Sequence, residues 1–75
     1  MIRLPVVSGA DLVKALRHAG FEVARRQSSH IVLRRQNPYG LVVVPDHKSV
    51  SPGTLKAILN EAGLTKEDLV RLLSK

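Results

Sequence analysis

Cysteine and tryptophan are absent from this 75-residue sequence, and Phe21 and Tyr39 are its only aromatic residues. Without thiols there is no disulfide framework and no cysteine-based zinc site. That usage fits a reducing compartment, and a cytoplasmic protein is expected. Two aromatic rings are too few for the stacking platforms that hold single-stranded bases, which disfavours readers of the RRM or OB type. No apolar run approaches the roughly 18 residues of a membrane span. The opening MIRLPVV lacks the apolar core of a signal peptide, so no membrane association is expected. Phosphate-binding loops, GxSxG, paired carboxylates and familiar metal-ligand spacings are missing as well. Nothing calls for a cofactor, whether metal or small molecule.

Negative charge is also scarce. Six acids face twelve Lys and Arg, for a net charge of +6 and a pI near 10.6. Nine of those cations precede residue 61, against only Asp11, Glu22 and Asp46, whereas residues 61–75 balance three against three. The basic part is therefore the middle of the chain and the segment before it. A surface of this kind is the electrostatic footprint of a phosphate-backbone binder. It also suits an acidic protein partner. A chain this short makes one domain, 1–75, and buries only about 60% of its unfolded surface. Marginal stability is expected, and a partner that covers more apolar surface would help.

Along the chain, Met1–Val7 reads as a lead-in, extended over Leu4–Val7 because Pro5 disfavours helix in the residue before it. Ser8 caps a helix, with Asp11 as a capping-box partner and Val7 and Leu12 at the staple positions. Leu12, Ala15, Leu16 and Ala19 form its apolar stripe, and Gly20 stops it. Phe21–Gln27 alternates as a strand, with Phe21, Val23 and Arg25 pointing one way and Glu22, Ala24 and Arg26 the other. After Ser28-Ser29, a second strand over His30–Arg35 sets Ile31, Leu33 and Arg35 on one face and His30, Val32 and Arg34 on the opposite one. Asn37-Pro38-Tyr39-Gly40 has the residues of a type I turn, and Leu41–Val44 reads as a third strand. Ser51-Pro52 opens a second helix with the stripe Leu55, Ile58, Leu59, Ala62 and a stop at Gly63. Thr65, with Asp68, caps a short third helix whose apolar face is Leu69, Leu72 and Leu73. The expected architecture is α+β, an antiparallel three-stranded meander with helices on one face and the other face open.

The open face is where chemistry has room. Arg25, Arg26, Arg34 and Arg35 form two cationic pairs without an acid among them, candidates for phosphate contact. Because neighbours on a strand point to opposite faces, at most one of each pair lies on the open side. His30 begins the second strand beside Ser28 and Ser29. An imidazole there can take a proton from a ribose 2′-hydroxyl, the first step of metal-free RNA cleavage, while cations hold the phosphate. It can equally be a surface residue. His47 follows Asp46 just after the third strand, and spacing alone does not say whether it approaches His30.

The stretches SGADLVKALRHAGFEVARRQSSH and VVVPDHKSVSPGTLKAILNEAGLT resemble the HicA family of toxins from bacterial and archaeal toxin–antitoxin systems. The likeness takes in an opening helix that stops at Ala-Gly-Phe and a strand that leads to a serine-histidine motif. A Val-Pro-x-His element and a Pro-Gly-Thr-Leu helix follow in the family's order. The resemblance implies a fold like the double-stranded RNA-binding domain and an endoribonuclease acting on mRNA, silenced by a HicB-type antitoxin. The family's catalytic histidine maps onto His30. His47 and Ser29 are candidate assistants, and Lys48 joins the arginines as a candidate RNA contact. Ser28 stands where the family motif usually has glycine, and Ile31 where many members carry another histidine. Two other readings share the basic face: a non-catalytic double-stranded-RNA-binding module, and a small interaction protein that meets an acidic partner.

Overall fold

The computed structural model describes residues 4–75, so Met1–Arg3 of the lead-in lie outside it. The elements run α1 (Gly9–His18), β1 (Glu22–Gln27), β2 (His30–Gln36), β3 (Tyr39–Pro45), α2 (Pro52–Ala62) and α3 (Lys66–Leu73). The helix boundaries follow local chemistry. The Ser8 hydroxyl accepts from Asp11 N at 3.0 Å while the Asp11 carboxylate accepts from Ser8 N, which closes the expected capping box of α1. Ser51 caps α2 with Pro52 behind it, and Thr65 and Asp68 form a second box on α3. The stops fall at Gly20 and Gly63, with φ of +98° and +73°, the left-handed region that glycine enters without a Cβ clash.

The strands form an antiparallel meander in the order β1-β2-β3. α1 and α2 lie on one side of it, and α3 packs on α1. Between the layers sit Leu12, Leu16, Phe21, Ile31, Leu33, Val42, Val44, Leu55 and Leu69, each at most 2% exposed. This is the α+β arrangement expected from the sequence, with the double-stranded RNA-binding order of elements and one open sheet face.

Two local expectations differ. β1 does not alternate throughout: a bulge at Ala24 lets Val23 pair with Leu33 and Arg25 with Val32. One extra residue reverses the side-chain phase beyond it. Arg25 therefore shares the open face with Val32, and Arg26 shares the helix side with Ile31, the reverse of the simple pattern. The second reversal is made by Asn37 and Pro38 alone, because Gln36 pairs with Tyr39 and the strands run further than the type I reading allows. The Asn37–Pro38 peptide is cis, which puts proline at the third position of the turn. The lead-in over Leu4–Val7 joins no sheet. Its Val7 carbonyl accepts from Val50 N at 2.8 Å, which lays the lead-in beside the β3–α2 link.

Candidate functional site

Strand register builds the open face in three rows: Gln27–His30–Pro45, then Arg25–Val32–Val43, then Glu22–Arg34–Leu41. His30, Arg25 and Arg34 are therefore presented together, as the meander's geometry requires of residues paired across neighbouring strands. All three are exposed. Among them lie Leu41 and Val43, which remain 47% and 44% exposed. Cations interleaved with uncovered aliphatic side chains suit a surface that a macromolecule covers. Arg26 is exposed at the rim, where it lines a shallow hollow with Arg17, Glu22 and Val23.

At the His30 end the sheet meets the β3–α2 link. His30, Val43, Pro45, His47, Ser49, Ser51 and Thr54 line one open cavity of about 370 Å³. The two histidines, 17 positions apart in sequence, thus face a common space. Backbone bonds set the arrangement: the Ser29 carbonyl accepts from Asp46 N at 2.6 Å, and the His47 carbonyl accepts from Gly9 N at 2.8 Å. The segment 45–47 is held between the β1–β2 turn and the start of α1. Ser29 thereby anchors the link through its carbonyl without lining the cavity, and Lys48 stays exposed beside His47. Among the described residues, no three His, Asp or Glu side chains gather into a set able to hold a metal ion.

Arg35 takes the face it was expected to share with Ile31 and Leu33. It lies on the helix side of β2, where its guanidinium donates to the carbonyls of Pro38 (2.9 Å), Ala19 (3.4 Å) and Ala62 (3.1 Å). It also lies over the Phe21 ring, 4.5 Å from the centroid. Ala19 and Ala62 close α1 and α2, so one cation meets the negative ends of both helices. With three of its donors on these carbonyls, Arg35 is a structural clamp between the sheet and two helix ends. The serines and threonine of the cavity were passed over in sequence, where Ser51 reads only as a helix cap. The Ser51 hydroxyl donates to Thr54 Oγ1 at 2.9 Å, so the cap itself forms part of the cavity wall. The signal was the closeness of Ser49, Ser51 and Thr54 to His47 in the chain.

No curated protein matches the chain. The family model described as the HicA toxin of bacterial toxin–antitoxin systems matches residues 9–64. That span begins at α1, takes in the whole sheet with both histidines, and ends just beyond α2, so it covers every element that builds the cavity and the cationic face. The chain belongs to the HicA toxin family.

Proposed function

We propose that this toxin is an endoribonuclease that cuts mRNA without a metal ion, using His30 as general acid–base. The observation that carries the reading is the shared cavity, where His30 of β2 and His47 of the following link open beside a cationic sheet face. The nucleophile is the RNA's own 2′-hydroxyl. His30 takes its proton as the 2′-oxygen bonds to phosphorus, the bond from phosphorus to the 5′-oxygen breaks, and His47 hands a proton to that departing oxygen. The products are a 2′,3′-cyclic phosphate and a 5′-hydroxyl. Arg25, Arg34, Arg26 and Lys48 hold the flanking phosphates and offset the charge that grows on the reacting one. Membership in a toxin–antitoxin family implies an antitoxin. A HicB-like acidic protein seated on the open face neutralises these cations and covers His30 together.

The test is cleavage of a defined mRNA, with chelator present, by wild type and by His30→Ala shown to be folded by circular dichroism. Loss of one general acid–base group lowers the rate by about 10²–10⁴-fold, while RNA binding persists. Undiminished cutting by His30→Ala would overturn the assignment. Binding without cutting by both chains would leave a non-catalytic double-stranded-RNA-binding module. Negligible RNA affinity at physiological salt would leave a protein-binding domain.

A further inference from the structure

α1 begins with a glycine that its helix does not require. Gly9 is buried and has no left-handed φ, and glycine is a poor helix former. Its surroundings supply the reason. A Cβ at position 9 would overlap the Pro45 carbonyl oxygen and stand 2.9 Å from Asp46 Cα and 3.2 Å from His47 N. All three are backbone atoms, so no side chain can swing aside. Gly9 N also donates to the His47 carbonyl at 2.8 Å, and Val50 N donates to the Val7 carbonyl at 2.8 Å, so residues 7–9 splint the link that carries His47. On its other side the link is tied to the residue before His30 through the bond from Asp46 N to the Ser29 carbonyl.

We propose that Gly9 is a positioning residue: by admitting the backbone of Pro45–His47 to direct contact with α1, it fixes where His47 meets His30 across the cavity. The inference rests on the reading of His47 as the proton donor in RNA cleavage. Any side chain at position 9 pushes the link away from α1 and carries the imidazole with it. A displacement near 1 Å at a reacting group costs about 10²-fold in rate.

Gly53 supplies the matched control. It too sits in the first turn of a helix, but a Cβ there meets nothing within 4 Å. Gly9→Ala is expected to lower kcat by about 10–100-fold with RNA affinity unchanged, whereas Gly53→Ala keeps the wild-type rate. In a His47→Ala background, Gly9→Ala is expected to cause no further loss, since it acts through that side chain. Wild-type kcat in Gly9→Ala, or losses that multiply in the double variant, would overturn the proposal. Should Gly9→Ala fail to fold, a synthetic chain with glycolic acid at position 9 removes the N–H and adds no side chain. Its kcat should fall too, and wild-type kcat there would overturn the proposal. NMR of the imidazole rings separates this inference from the reading beneath it. If wild type does not cut, the ribonuclease reading fails. The placement still stands if Gly9→Ala moves the His47 signals and leaves those of His18 alone, and it falls if they do not move.

Discussion

Ser28 has φ of +49°, a left-handed backbone on a residue with a Cβ. The family motif usually has glycine there, and the two-residue turn before His30 shows why glycine suits it. The left-handed conformation costs about 1–2 kcal/mol for a non-glycine residue, while glycine's extra freedom when unfolded costs about 0.5–1. Ser28→Gly should therefore stabilise the chain by about 0.5–1 kcal/mol, read from the midpoint of urea unfolding, with His30 left in place. The neighbours Arg34 and Arg35 make the opposite contrast. Arg35→Ala strands the helix-end carbonyls of Ala19 and Ala62 and should cost about 2–3 kcal/mol. Lysine cannot replace its planar fork of donors. Arg34→Ala should leave the unfolding midpoint unchanged and weaken RNA binding, with the salt slope reduced by about 1. Equal stability losses in the two alanine variants would contradict the division of labour.

Among the elements, the three helices were the most legible, because their caps, stripes and stops are local. The box on α3 has a pH consequence. Hydrogen bonds from the Thr65 backbone N–H and the Thr65 side chain hold the Asp68 carboxyl below its ordinary value, and Arg71 beside it adds to this. A carboxyl lowered on folding contributes stability that is fully present above its ordinary range. That contribution is lost as pH falls through the folded value. Amide exchange should therefore show the first turn of α3 opening in acid before the sheet does. Thr65→Ala should bring the same opening at neutral pH, at a cost of about 1 kcal/mol. Simultaneous loss of α3 and sheet would argue against a separate cap. β1 was the least legible element, since EVARRQ alternates well enough to hide the bulge at Ala24. Only pairing with β2 shows that Arg25, and not Arg26, joins His30 on the open face.

For the whole molecule, Arg25 and Arg34 share the open sheet face with the uncovered Leu41 and Val43. An acidic antitoxin on that face would gain charge complementarity and apolar burial together. A ligand that binds only the folded chain, present at 100 times its Kd, adds about 2.7 kcal/mol. For a domain this small, that raises Tm by roughly 10–20 °C. Differential scanning calorimetry of the free and antitoxin-bound chain checks this. The double reversal Arg25→Glu/Arg34→Glu should abolish the shift without unfolding the free toxin, and a preserved shift would place the antitoxin elsewhere.

Helix limits, the meander and the open face follow from neighbours in sequence, because caps, stripes and short turns act over three or four residues; the choice of His30 came from the family resemblance. The swap of Arg25 with Arg26, the capping of two helix ends by Arg35 and the meeting of His30 with His47 do not follow from neighbours. Each depends on atoms brought together from distant positions: a strand partner that reveals a bulge, two helix ends that converge on one guanidinium, and a glycine in α1 that admits the backbone of the β3–α2 link. Those contacts exist only after the layers pack, so tertiary structure alone decided them.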